Sequence, residues 1–246
     1  MQWDDEGIVL ATRAHGERAL VVQLLTREHG RHAGLLRGGQ SPKTRAHWQI
    51  GNRLTISWRA RLAEHLGFIG GEVVAAHVAR LLDDKLRLGA LASAAALAAS
   101  ALPEREPHPR AYRGLLHLIE ALAANDRWAI AYVEWEVALL EELGFGLDLS
   151  SCAATGETEN LIYVSPRSGQ AVSAGAGAPY REKLLPLPPF LRGAAARPGP
   201  QEVLDGLRLA GFFLEQRVFA PHQHKLPAAR SRYVDALTKV FAIPTS

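Results

Sequence analysis

A chain of 246 residues, 48% apolar and 22% charged, holds enough material for one large or two small globular domains, which excludes a disordered or collagen-like protein. Its single cysteine, Cys152, excludes an internal disulfide framework and a thiolate-rich metal cluster, and fits a reducing compartment. The acidic opening MQWDDEG does not read as a secretory signal, and the longest apolar stretch, Leu88 to Leu102, is too short and alanine-rich to span a bilayer, so the expectation is a cytoplasmic protein with no membrane partner.

The net charge of +3 is unevenly spread. From Arg13 to Arg61 there are ten Lys/Arg against two acids, a net of +8, whereas residues 81–246 carry 17 Lys/Arg and 18 acids. Four histidines, His15, His29, His32 and His47, fall in the same basic window. A local field of this kind attracts polyanions and speeds their encounter.

Residues 6–75 read as strands. Gly7–Ala11 and Ala19–Leu25 are short apolar runs on either side of a Gly16 turn, and Glu28-His29-Gly30 is a second turn. Gly30–Arg37 is a third strand and Gly38–Lys43 a flexible loop. Arg53–Arg59 alternates cleanly, with Leu54, Ile56 and Trp58 on one face and Arg53, Thr55, Ser57 and Arg59 on the other. His65–Val74 supplies a fifth strand. Five short strands with glycine turns in a basic module predict an OB-fold barrel over residues 1–76.

After about Ala76 the period becomes helical. The spacing predicts helices over His77–Ser100 (with a break near Asp83-Asp84), Arg110–Ala124, Arg127–Leu143, Pro200–Phe219 and Ala228–Phe241. Residues 148–199 are rich in Gly, Ser and Pro, with one hairpin expected from Leu161–Val164 and Ala171-Val172. The fold class is therefore α+β: a barrel followed by an all-α domain, 77–246, with an irregular insertion at about 148–199.

The chemistry-bearing residues are cationic. Arg13, Arg31, Arg37, Lys43, Arg45, Arg53, Arg59 and Arg61 lie on the predicted barrel, where a shallow groove lined by Arg and Lys tracks phosphates. Arg53 and Arg59 share a strand face. Arg31 and Arg37 share parity with Ala33 and Leu35, a mixed face unless Gly34 hosts a bulge. Trp58 belongs to the core by alternation, which leaves Trp48 as the stacking candidate. With so few platforms, phosphate contacts should dominate, so binding should be salt-dependent and nearly indifferent to sequence. Catalysis finds no foothold: the chain has no phosphate-binding Gly-x-x-x-x-Gly-Lys loop and no Gly-x-Ser-x-Gly elbow. Glu134, Glu136, Glu141 and Glu142 read as helical surface charge. The expectation is a protein that is not an enzyme and carries no cofactor.

Cys152-Ala153-Ala154-Thr155-Gly156 looks like a zinc knuckle that has lost its metal. A second thiolate would be needed at position 155, and Ser173 and Ala176 stand where a second pair would fall. Hydroxyl and methyl groups do not replace thiolates at a structural zinc.

An ordered set of segments resembles the RecO family of bacterial recombination mediators. They are Glu6–Leu10, Gly16-Glu17, Thr26–Arg31, Gly34–Gly39, Trp135–Leu149, Cys152-Ala153, Lys225-Leu226 and Arg230–Arg232. The resemblance implies an N-terminal OB-fold and a helical domain with a zinc-finger-like insertion. It implies binding to single- and double-stranded DNA, annealing of complementary strands and a nucleoid-associated location. Together with the partner RecR, such a protein helps the RecA recombinase onto DNA coated by single-strand-binding protein (SSB), and it engages the acidic SSB tail through the helical domain. Where relatives carry basic residues for that tail, this chain has Val133 and Glu134; Arg110, Arg113 and Arg127 could take the role. A second reading is a protein-binding adaptor whose helical domain docks an acidic peptide.

Overall fold

The computed structural model describes residues 1–124, 126–194 and 197–242. The chain divides into two compact units. The first is Met1–Asn125 with Pro227–Arg230, and the second is Asp126–Leu226 with Ser231–Ser246.

The first unit is built on a closed five-stranded barrel of β1 (Gln2–His15), β2 (Ala19–Thr26), β3 (Arg31–Leu36), β4 (Arg53–Arg59) and β5 (Phe68–Ala75). The order around the barrel is β1-β2-β3-β5-β4; β3 and β5 run parallel at Leu35 and Phe68, while the other pairs are antiparallel. Closure removes the exposed edges that short strands would otherwise present. β1 starts five residues earlier than expected, because Trp3 and the acids Asp4–Glu6 pair along β4. Its register shifts between Val9 and Ala11, leaving Ile8, Val9 and Leu10 buried in succession. A bulge of this kind turns side chains to both faces: Val9 joins the barrel core, and β1 also packs against the helix that follows the barrel.

The alternation of β4 holds as predicted, with Leu54, Ile56 and Trp58 inside. The Trp58 indole N–H is satisfied by the carbonyls of Leu66 (3.0 Å) and Ala33 (3.3 Å). β3 alternates without a bulge at Gly34; His32, Gly34 and Leu36 are buried, and Gly34 faces Ile69, leaving no room for a Cβ. The expected Gly38–Lys43 loop is shorter than predicted. Ser41 accepts the Thr44 N–H and Pro42 opens a one-turn helix, α1 (Pro42–His47). That turn drives Trp48 into the barrel core, where it is 3% exposed. Trp48 is therefore no stacking platform. Asn52, fully buried, locks the turn by donating to the carbonyls of Ala46 and His47 while accepting the Val78 N–H.

Helices α2 (Lys85–Ala101) and α3 (Pro109–Ala124) complete the first unit. Asp84 caps α2 through the N–H groups of Leu86 and Arg87, so the predicted break falls there; residues 77–80 form a separate 3₁₀ turn.

The second unit contains α4 (Trp128–Glu142), a three-stranded sheet, α6 (Pro200–Phe213) and α7 (Ala228–Phe241), whose first turn is shared with the first unit. The sheet has order β7-β6-β8 and contains the expected hairpin of β6 (Leu161–Val164) and β7 (Ala171–Ser173), with β8 (Leu185-Pro186) on its other side. Between β7 and β8 run a short helix, α5 (Ala174–Gly177), and a 3₁₀ segment, Ala178–Lys183. After α6 the chain continues as a π-helical segment, Leu214–Phe219. Glu136 departs from expectation: it is fully buried, one turn from Tyr132 and Leu139-Leu140 on the inner face of α4, rather than surface charge. Residues 195–196 of the predicted insertion and 243–246 lie outside the described residues. None of the helices described is long and apolar enough to cross a membrane.

Candidate nucleic-acid interface

The outward face of β4 is divided by charge. Thr55 and Ser57 face Glu6 and Asp4 on β1, and Thr55 bonds the backbone of Glu72 on β5. Ser57 donates to the Asp4 carboxylate. Arg53 lies 3.7 Å from Glu6 with its side chain only 28% exposed, and Tyr112 of α3 donates to the same carboxylate at 3.5 Å. The Tyr112 phenol is pushed up to about 12, by burial first and then by Glu6. At the other end of β4, Arg59 sits between Gln2 and Phe68. The two arginines share a face as predicted, but six strand residues, about 20 Å, separate them. Carboxylates line the interval, so they do not form one groove.

Arg31 is also engaged internally. Its Nε donates to the Leu102 carbonyl at 2.7 Å, and its Nη1 meets Glu104 at 3.1 Å. Both partners lie more than seventy residues away in sequence, beyond the reach of the local pattern that put Arg31 among the phosphate contacts.

Arg37, Arg59 and Arg61 are brought together. Two clefts, of about 460 and 590 Å³, share Leu35, Arg59 and Phe68 in their walls. The first adds Arg37, and the second adds Arg61, His65 and Leu66. No Asp or Glu lines either cleft, and among the described residues none of the three arginines has a carboxylate partner. The Arg37 guanidinium lies over the Phe68 ring, 4.1 Å from its centroid. The rim is tied down: Arg105, itself at φ +61, donates to the carbonyls of Glu64 and His65, and the Met1 ammonium donates to Ala60. Sequence reasoning missed Phe68, Leu66 and Arg105. The position of Phe68 opposite Arg59 becomes visible only once β4 and β5 are in register.

The remaining cations lie elsewhere. Lys43 and Arg45 are exposed on α1, and Arg45 lines a separate cleft of about 490 Å³ with Thr12, Leu20, Trp48, Leu88 and Leu91. Arg13 is exposed on the β1–β2 hairpin, opposite Val21.

Below the β4 wall lies an aromatic stack. Trp3 is parallel to His29 at 4.1 Å and to Trp58 at 5.4 Å, and His32 meets both tryptophans edge-on. Asp5 accepts from His29 Nδ1 at 3.0 Å and from the Glu28 N–H at 2.8 Å. His32 is 5% exposed and neither ring nitrogen has a hydrogen-bond partner among the described residues. Burial, with help from Arg105 and His29, lowers its pKa to about 4, so it is neutral at physiological pH.

Comparison with known proteins fits this barrel-plus-helices order. The family model for the N-terminal part of recombination protein O matches residues 1–77, and the model for its C-terminal part matches 82–226. The chain belongs to the RecO family of DNA repair and recombination proteins. It is 54% identical over 241 residues to the DNA repair protein RecO of Rhodospirillum centenum, covering 97% of this chain and 96% of that one. It is 50% identical over 245 residues to the protein of the same name from Rhodospirillum rubrum (97% of each chain), and 45% identical over 240 residues to that of Ruegeria (97% and 99%).

A zinc knuckle in the manner of the RecO resemblance does not fit the residues of this chain. Around buried Cys152, the Ser173 N–H donates to Sγ at 3.3 Å. The Thr155 hydroxyl, and then that N–H, lower the thiol to about 6. Ser173 and Ala176 present a hydroxyl and a methyl. No group of three or more His, Cys, Asp or Glu capable of holding a metal occurs among the described residues. Of the cations expected to receive an acidic tail, Arg110 and Arg113 are exposed one turn apart on α3, in the first unit. Arg127 is the N-cap residue of α4, in the second.

Proposed function

We propose that this RecO-family chain is a recombination mediator that is not an enzyme. It binds single- and double-stranded DNA through an OB-type barrel and anneals complementary strands. With RecR it assists RecA onto SSB-coated DNA. The observation that carries the reading is the pair of carboxylate-free clefts around Arg37, Arg59 and Arg61. Annealing needs two strands whose charge is neutralised and whose base edges stay available, and cations on a shallow barrel face supply the first without covering the second. The barrel order, with β3 parallel to β5, supports the OB assignment; in that frame β6–β8 and the Cys152 turn correspond to a metal-free zinc-finger-like insertion.

The SSB tail remains the proposed partner of the helical region, with Arg110 and Arg113 as its cations. The test is a strand-annealing assay on the full chain, with and without SSB and RecR. Wild type should accelerate annealing of labelled complementary strands, and Arg59→Glu with Arg61→Glu should abolish most of that acceleration. Annealing at the wild-type rate by the double variant would remove these clefts from the mechanism.

A further inference from the structure

The two clefts do more than present charge. Their floor is apolar, made by Leu35 and Phe68 with Leu66 beside them, while Arg37, Arg59 and Arg61 stand around it. A site meant only for phosphate needs no such floor, since phosphates are met by cations at a wet surface. Phe68 is half-buried on β5, and its ring is already paired with the planar guanidinium of the exposed Arg37 at 4.1 Å. A guanidinium laid on an aromatic ring presents a second flat face, and flat faces of this kind are what unstacked bases settle on. Cleft volumes of about 460 and 590 Å³ fall in the range that small planar ligands occupy.

Resting on the DNA-binding reading above, we infer that the Phe68–Arg37 pair is a base-stacking subsite for single-stranded DNA. Arg59 and Arg61 take the flanking phosphates. The ligand has an apolar planar part and a regularly spaced anionic part, and the site matches both: an apolar floor beside three arginines that have no carboxylate partner among the described residues. The surface is then not purely a phosphate reader. It holds a base by its face and leaves its pairing edge to the partner strand. A duplex, whose bases are already stacked, cannot use the subsite.

The test compares a short oligothymidylate with an abasic sugar–phosphate strand of the same length, by fluorescence anisotropy on the full chain at several salt concentrations. The abasic strand should bind roughly 5- to 100-fold more weakly, the ratio expected for losing one stacked base, with an unchanged salt slope. Arg37→Lys keeps the charge but loses the plane, and Phe68→Leu keeps the bulk but loses the ring. Each should erase the difference between the two strands without altering the slope. Equal affinity of the two strands for wild type overturns the subsite while leaving phosphate binding, and the proposed function, in place. Failure to bind either strand, with an acidic peptide bound instead, overturns both.

Discussion

Replacing His32 with Phe should make the stability of the first unit less sensitive to acid. In the folded protein His32 resists protonation until about pH 4, because its ring is 5% exposed, set edge-on against both Trp3 and Trp58, and close to Arg105. The unfolded chain takes that proton at about 6.5. Between these values the unfolded state binds more protons, so stability is complete above about 6.5 and falls with acidification, reaching its limit below about 4. The gap between about 6.5 and about 4, at about 1.4 kcal/mol per pH unit, bounds the loss at ~3.5 kcal/mol, and solvent screening of the Arg105 and His29 contributions brings the expected loss to ~2 kcal/mol. The ring of Phe keeps both edge contacts and does not titrate. Urea unfolding above, within and below the window would give both curves, and carboxylates that titrate in both proteins cancel in the difference. Equal acid losses for wild type and His32→Phe, with His32→Leu behaving the same way, would refute the assignment of a neutral buried imidazole.

Other outcomes follow from the same geometry. Arg59→Ala with Arg61→Ala should lower the logarithmic salt slope of single-strand binding by about 1.4, at about 0.7 per lost phosphate contact. Arg31→Ala and Arg53→Ala should leave that slope unchanged and lower the unfolding temperature instead, since both are engaged internally; salt titrations and thermal melts distinguish the two classes. Gly71→Ala would drive a methyl carbon into the Thr55 carbonyl oxygen, forcing β4 and β5 apart, and should cost about 1–3 kcal/mol in denaturant unfolding. Asp84→Ala removes the cap of α2 and its 3.0 Å contact with Arg87, for a loss of about 1 kcal/mol by the same measurement. Trp48→Ala, which would be nearly silent for an exposed stacking residue, should cost about 3–5 kcal/mol as a core deletion.

What the sequence disclosed follows from how local each signal is. The alternation of β4, the β6–β7 hairpin and the helix periods are written within a few residues, so they could be read directly. The start of β1 was hidden because Asp4, Asp5 and Glu6 do not look like a strand until β4 lies beside them. The Ser41-Pro42 helix start sat inside a run of Gly, Gln and Ser that reads as loop, and with it went the burial of Trp48. Charge on the barrel was legible as a total but not as a distribution. Arg31 and Arg53 are satisfied by Glu104 and Glu6, groups that the fold delivers from elsewhere, whereas Arg37, Arg59 and Arg61 meet only once β3, β4 and β5 are assembled. Glu136 was misjudged for a related reason: helix parity leaves a carboxylate on either face, and only packing against the rest of its unit decides.

The turn around Cys152 has a physiological corollary. A lobe that a four-ligand cation would otherwise organise is instead closed by a backbone N–H and a hydroxyl on one sulfur. The contacts that hold this turn come from the chain itself. A chelator should therefore leave the thermal unfolding of this repair protein where it is, whereas a thiolate finger would lose its shape, and melts with and without chelator would tell the two apart.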